Sequence, residues 1–376
     1  MKIVYVLRSL AVWGGIERIM ADKMNHLTSL PGVVVYLLTT DQGTHPLPYR
    51  LQPGVHHEDL AIRFHQQYQY RGLQRLRVSR QLKKLFEQRL DKHLCEICPD
   101  VIVCTTANYV DIGCIAKLKG NTPLVVESHS ICRTTLGHGN SWLKKAINRH
   151  HYIKTLSKAN VIVTLTEGDA ADWRRYHPSV RVIPNVVSLN QGPCSTLNSK
   201  RVIFVGRLDY QKQPMEIIHI WKKVWQHFPD WHLDIYGEGE LQQKVETAAQ
   251  SLNMNIHVHQ PTSHIFDCYR KSAFLVSTSL FEPFGLVLTE AMSCGLPVVA
   301  YDCPFGPADI ITNGSDGFLV ELNDTKVFAD RICQLMADEE LRCRIGSQAK
   351  DTSRRFSADL IMPQWHQLFN ELINNR

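Results

Sequence analysis

The chain has 376 residues, 44% of them apolar and 21% charged, with a formal net charge of +6. That length predicts two or three domains, and the composition excludes wholesale disorder. No run of about 18 apolar residues occurs and the opening MKIVYVLRSL is cut by Arg8, so neither a membrane-spanning helix nor a secretory signal is expected.

The first predicted element is a buried strand, Lys2 to Leu7, followed by a glycine-bearing turn from Ala11 to Gly15 that includes Trp13. A helix is expected from Ile16 to about Leu30, with Ile19, Met20, Met24 and Leu27 on its apolar side, and then a strand from Val33 to Thr39. Strand, loop, helix and strand in this order make the unit of a doubly wound parallel sheet. Further strands are predicted at Val101–Thr105, Pro123–Glu127 and Val161–Leu165.

The rhythm restarts near residue 200. Strands are expected at Arg201–Val205, Trp231–Tyr236, Asn255–His259, Ala273–Ser277, Pro297–Tyr301 and Gly317–Glu321. Helices are expected at Pro214–Phe228, Gly239–Leu252, Ser263–Lys271 and Leu286–Cys294, with two more after the last strand. The predicted division is a first α/β domain over 1–183, a linker over 184–200, a second α/β domain over 201–355, and a final amphipathic helix over 356–376. That helix is expected to pack back on the first domain.

The charge is unevenly shared. Residues 1–180 hold 24 Lys and Arg against 14 Asp and Glu, whereas 181–376 hold 18 against 22. The excess concentrates between Arg63 and Lys92, where nine cations mix with Phe64, Tyr68, Tyr70 and Phe86. A second basic run, Lys144, Lys145, Arg149 and Lys154, follows Trp142. A basic amphipathic helix with aromatics suits an anionic membrane surface; the alternative is a solvated helix face. No nucleic-acid-binding motif occurs, so nucleic acid is not an expected partner. The 11 cysteines are odd in number and scattered, which favours reduced thiols over a disulfide framework. Cys95 and Cys98 form a CxxC without a second pair, and no metal site is expected.

In such sheets, ligands meet the loops at the carboxyl ends of strands. Gly206 and Arg207 follow a predicted strand, with Lys212 five residues on. These two cations fit a diphosphate or a solvated surface pair. Gly14 and Gly15, between the first strand and helix, either admit a ligand to the backbone or make a tight turn. The sharpest segment is FEPFGLVLTEAMSCG, Phe281 to Gly295, in which Glu282 and Glu290 are spaced E-x7-E around Pro283, Phe284 and Gly285. A carboxylate accepts bonds from vicinal hydroxyls, and a helix start donates N–H groups to a phosphate.

Together, GGIER at Gly14–Arg18, GR with Lys212, YGEGE at Tyr236–Glu240 and EPFGLVLTEAMSCGLPVVA at Glu282–Ala300 resemble glycosyltransferase family 4. The resemblance implies a GT-B fold, two Rossmann-like domains, and metal-independent transfer from a nucleotide sugar with retained anomeric configuration. It implies no cofactor beyond that donor. Arg207 and Lys212 would hold the donor diphosphate, Glu290 the ribose hydroxyls, and Glu282 the transferred sugar. Backbone at Phe284, Gly285 and Leu286 would meet sugar or phosphate, Gly15 would let the first loop close on the diphosphate, and Gly14, Gly206 and His259 would join the donor-binding residues. His129, in Glu127-Ser128-His129-Ser130, matches the family histidine near the reacting sugar, although relatives often carry asparagine after one spacer. Where relatives cradle the base on a segment ending phenylalanine-x-glycine, this chain has Val258-His259-Gln260-Pro261, which leaves the base open.

Asp302–Pro307 with Ile310 and Ile311 resembles a subgroup that adds hexose or N-acetylhexosamine to lipid-linked or surface glycans. It implies a UDP-linked donor, a polyprenyl-diphosphate-linked acceptor in surface polysaccharide synthesis, and a cytoplasmic enzyme at the inner face of the membrane. A GT-B epimerase and a non-catalytic nucleotide-sugar-binding scaffold are the alternatives.

Overall fold

The computed structural model describes residues 1–12, 14–106, 109–137 and 142–375; Trp13 of the first loop lies outside them. The chain divides into two compact units, Met1–Val186 with Ala358–Arg376, and Val187–Ser357. The stretch read as a linker, 184–200, thus splits between them after Val186.

The first unit holds β1 (Lys2–Leu7), α1 (Gly15–Thr28), β2 (Val34–Thr39), β3 (Val55–Asp59), α2 (Gly72–Ile97), β4 (Val101–Thr105) and α3 (Tyr109–Leu118). It continues through β5 (Leu124–Glu127), α4 (Cys132–Leu136), α5 (Trp142–Leu156), β6 (Val161–Thr164), α6 (Glu167–Trp173) and β7 (Val180–Val182). The strands form one parallel sheet in the order β3-β2-β1-β4-β5-β6-β7. Successive side chains alternate between its two faces. Ile3, Tyr5 and Leu7 join Met20, Met24 and Leu27 of α1 on one face. Val4 and Val6 join Phe86 and Leu90 of α2 on the other. Burial on both faces is why β1, β4, β5 and β6 read as unbroken apolar runs.

The second unit holds β8 (Arg201–Val205), α7 (Pro214–Trp225), β9 (His232–Tyr236), α8 (Gln242–Leu252), β10 (Ile256–His259), α9 (Ile265–Arg270) and β11 (Phe274–Ser277). Then come α10 (Leu286–Ser293), β12 (Val298–Asp302), α11 (Gly306–Ile310), β13 (Phe318–Glu321), α12 (Thr325–Ala337) and α13 (Glu339–Ser353). Its parallel sheet runs β10-β9-β8-β11-β12-β13. Val202 and Phe204 pack with Ile217 and Trp221 of α7 and Phe328 and Ile332 of α12. The last helix, α14 (Ala358–Asn374), returns to the first unit and sets Ile361, Trp365 and Phe369 against the face that α1 covers.

The sequence reading omitted β3, β7 and α11. β3 exposes three of its five residues and β7 has only three, both at sheet edges, so neither carries a period-two apolar signal. α11 has five residues and starts with Gly306-Pro307.

Local chemistry sets the helix starts. Asp338 caps α13 by accepting from Leu341 N at 2.8 Å. Asp338→Ala removes that acceptor and is expected to lower unfolding stability by about 1 kcal/mol, read as a shift in urea midpoint at constant slope.

Candidate functional site

In doubly wound sheets the strand order reverses at one point, and loops there part to leave a crevice. In the second unit this point falls between β8 and β11, neighbours in the sheet although far apart in sequence. The loops leaving them, 206–213 and 278–285, carry Gly206, Arg207, Lys212, Glu282, Phe284 and Gly285.

The two loops are stitched together. Gln211 O accepts from Leu280 N at 2.8 Å, and Gln211 Nε2 donates to Phe281 O at 3.0 Å. Thr278 Oγ1 donates to the carbonyls of Lys212 and Gln213 at 3.2 and 3.0 Å. This brings Lys212 Nζ onto Glu282 Oε2, which also accepts from Ser279 Oγ at 3.3 Å. The pair is largely withdrawn from water, with side-chain exposures of 14% and 11%. Arg207 is exposed instead, with Nη2 2.9 Å from Gln211 Oε1 and 3.2 Å from Asp209 Oδ2. Asp209 also anchors the Lys212 amide, Oδ1 to N at 3.0 Å. One cation is therefore part-buried on its counter-ion, while the other stands in solvent on polar supports.

YGEGE serves this loop through its backbone. A Cβ on Gly237 would fall 1.9 Å from Gly206 O, so only glycine lets the two main chains meet. Gly206 N donates to Tyr236 O at 3.1 Å, and Leu208 N to Glu238 O at 2.8 Å.

Gly285 precedes α10 with φ of 112°, and no side chain caps that helix. The first N–H groups of a helix have no acceptor within it, and the helix dipole gives this end partial positive charge. The Phe284 ring is buried edge-on against Phe356, 5.2 Å between centroids, so this segment offers backbone rather than an aromatic side chain. Glu290, in the second turn of α10, is 2% exposed and accepts from Tyr269 Oη at 3.3 Å. His259 ends β10, places Nε2 2.9 Å from Asp234 Oδ1 and stacks on Tyr236 with ring centroids 4.4 Å apart. Burial, with Cys268 alongside, pushes the Tyr236 phenol well up. Tyr269, Asp234, Asp209 and Ser279 were not singled out from sequence. Tyr269 sits in a short helix without clear periodicity, and nothing local marks it as the partner of Glu290.

In the first unit the reversal lies between β1 and β4, and His129 follows the next strand, β5. Gly14 caps α1 in extended conformation, and Gly15 opens that helix. Burial raises the Glu17 carboxyl in the first turn of α1. His129 is 9% exposed, and its Nε2 lies 3.2 Å from Glu127 Oε2. Glu127 Oε1 in turn receives Lys23 Nζ from α1. Lys23 was invisible to pattern reading because a lysine on a helix is ordinarily solvated. Its position three residues after Met20, on the apolar side, was the available signal.

Among the described residues no group of three or more His, Cys, Asp or Glu could hold a metal ion. Cys98 caps α2 and places Sγ 3.0 Å from Cys95 O.

Residues 13–191 match the family model for Glycosyltransferase Family 4, and residues 195–352 match that for Glycosyl transferases group 1. The chain belongs to glycosyltransferase family 4. It is 36% identical to an exopolysaccharide phosphotransferase of Streptomyces coelicolor over 202 residues, 53% of this chain and 21% of that one. It is 24% identical to GalNAc-alpha-(1->4)-GalNAc-alpha-(1->3)-diNAcBac-PP-undecaprenol alpha-1,4-N-acetyl-D-galactosaminyltransferase of Campylobacter jejuni, over 100% of this chain and 99% of that enzyme. The chain spans less than half the length of the first curated relatives it matches. Among solved structures, HepE of Anabaena in complex with UDP superposes with a TM-score of 0.75 at 18% identity, covering 99% of this chain and 100% of that one. The likeness establishes the GT-B fold for this family 4 chain.

Proposed function

We propose that this family 4 chain transfers a hexose or N-acetylhexosamine from a UDP-sugar to a lipid-linked glycan, with retention, in surface polysaccharide synthesis. The observation that carries the reading is the constellation at the β8/β11 reversal: a part-buried Lys212–Glu282 pair beside an exposed Arg207 and the uncapped start of α10. As the glycosidic bond breaks, negative charge grows on the leaving diphosphate. Arg207, Lys212 and the N–H groups of α10 would stabilise that charge, acting as groups already in place before the reaction. Glu282 would orient the sugar through its hydroxyls, and Glu290 with Tyr269 would receive the ribose. The acceptor hydroxyl would attack on the leaving-group face and pass its proton to the departing phosphate. The UDP bound to HepE and the polyprenyl-linked acceptor in the name of the Campylobacter relative support the choice of donor and acceptor.

The test is a panel of radiolabelled UDP-GlcNAc, UDP-GalNAc and UDP-galactose, each with membrane extract. A labelled product extracted into organic solvent from one donor is the expected result. Release of UDP without such a product would sink the lipid-linked acceptor, and no turnover with any donor would sink transfer itself.

The proposal includes docking on an anionic membrane. Among the described residues no helix is long and apolar enough to cross a bilayer. α2 and α5 both pack against α3. The first half of α2 exposes Leu73 and Leu76 beside Arg77, Arg80 and Lys84, and α5 exposes Trp142 and Ile147. Two cations of the predicted stretch serve the fold instead. Arg63 pairs with Asp59 at 2.8 Å, and Arg89 binds the carbonyls of Leu60 and Ala61. The second half of α2 faces the core through Leu82, Phe86, Leu90, Leu94 and Ile97. Docking would therefore use residues 71–84 rather than the whole of 63–92. Changing Arg77, Arg80 and Lys84 together to glutamine is expected to weaken binding to phosphatidylserine vesicles by about 100-fold at low salt, at ~1 kcal/mol per cation. Flotation assays would read this, and unchanged binding would refute docking by α2.

A further inference from the structure

Beside β5 lies a line of buried polar groups that diphosphate stabilisation does not use. Lys23 is 2% exposed and Glu127 3%. The Lys23 ammonium donates to Glu127 Oε1 and lies 3.9 Å from the Trp365 ring centroid and 5.3 Å from that of Tyr5. Trp365 comes from α14, so three separate stretches of chain fix this one cation. Glu127 uses its other oxygen, Oε2, on His129 Nε2. His129 Nδ1 is buried and has no hydrogen-bond partner among the described residues.

Burying an ion pair rarely stabilises a fold more than apolar residues of the same size would. An unpartnered buried nitrogen is costlier still. The arrangement therefore points to use rather than to stability. Lysine can only donate, and a carboxylate can only accept. Lys23 and His129 hold Glu127 below the usual carboxylate range, although its burial pushes the other way. An ionised Glu127 requires Nε2 to carry the proton of a neutral ring, which leaves a lone pair on Nδ1.

We propose that Lys23 and Glu127 are positioning residues that fix His129 as its Nε2–H tautomer, so that Nδ1 accepts a hydrogen bond from a sugar hydroxyl. The proposal deepens the reading of this chain as a sugar transferase and rests on it. The Trp365 ring lies against the Lys23 ammonium, which makes α14 part of the support for the reacting group.

The experiment is imidazole nitrogen NMR on the full-length enzyme labelled with 15N-histidine. The His129 signals are assigned by their loss in His129→Gln. The unmodified protein is expected to show the neutral Nε2–H form. In Glu127→Gln the amide oxygen must turn to Lys23, which can only donate. Its NH2 then faces the ring, and the proton moves to Nδ1. The tautomer should swap and kcat should fall about 100-fold, with a smaller change in donor KM. In the double variant Lys23→Met with Glu127→Gln, the amide oxygen is released to turn back to the ring. The Nε2–H form and most of the lost kcat should return, a rescue that a purely structural ion pair would not give.

An imidazolium or Nδ1–H ring in the unmodified enzyme overturns the proposal. So does an unmoved tautomer in Glu127→Gln, a double variant no different from the single one, or a swapped tautomer with undiminished kcat. If Glu127→Gln alone fails to fold, the unmodified spectrum and the double variant decide. Absence of transfer by the unmodified enzyme with every UDP-sugar would sink the functional reading, and the spectra would still judge the tautomer separately.

Discussion

Glu282→Gln is expected to lower kcat for sugar transfer by about 10³-fold, roughly 4 kcal/mol of transition-state stabilisation, while the protein stays folded. The change keeps the shape of the side chain and removes its charge. Two effects combine. Glu282 Oε2 accepts from both Lys212 and Ser279, so a glutamine keeps those contacts through its one carbonyl oxygen but sets an NH2, a donor only, where Oε1 would accept from a sugar hydroxyl. Lys212 then loses the counter-ion that fixes its ammonium. The backbone does not depend on the carboxylate: Glu282 N donates to Pro304 O at 2.7 Å, and Glu282 O accepts from Phe305 N and Gly306 N at 3.0 and 2.8 Å. Thermal unfolding should therefore shift little. Initial rates with labelled donor, beside a melting curve, check both halves, and transfer within threefold of the unmodified enzyme would remove Glu282 from the chemistry.

Gly306→Ala is expected to cost about 3 kcal/mol of stability, at the upper end for overpacking. A Cβ there would lie 1.7 Å from Phe284 O and 2.3 Å from Phe284 C. Both are backbone atoms, so no flexible side chain can swing away. The strands of chain at 304–306 and 282–284 lie against each other main chain to main chain, and the Gly306 amide belongs to that contact. Prising them apart displaces Phe284 and Gly285, which present the start of α10. Activity should fall together with stability, in contrast to Glu282→Gln. Urea unfolding gives the first quantity, and a midpoint equal to that of the unmodified protein would show that the loops part without cost.

The fold was legible because both sheets are parallel and buried on two faces. Runs such as Ile3 to Leu7 and Phe274 to Ser277 then announce themselves as apolar strings between turn residues. The same reasoning fails at edges: Val55-His56-His57-Glu58-Asp59 pairs along one side only, and its side chains mostly meet water. The second-unit site was legible for a different reason. Glycines at 206, 237 and 285 and the two glutamates lie within short strings, and local spacing preserves them. What spacing cannot show is contact across the sequence. Tyr269 meets Glu290, and Lys23 meets Glu127 at a separation of 104 residues. The basic stretch shows both outcomes on one helix. Its apolar positions sort into Leu82 and Leu90, which are buried, and Leu73 and Leu76, which are exposed, a division that depends on where α2 leaves the sheet.

The return of α14 to the first unit has a consequence for the order of events during synthesis. The segment from 187 to 357 leaves the ribosome as one uninterrupted piece, with every strand of its sheet present. The first unit has its seven strands earlier still, but one face of its sheet waits for Ile361, Trp365 and Phe369. Folding units ordinarily mature from the amino terminus onward. Here the unit begun first is finished last, and Lys23 gains the Trp365 ring only in that closing step. A chain ending at residue 357 and released from the ribosome should therefore carry a protease-resistant second unit attached to a first unit with an apolar face still open to chaperones.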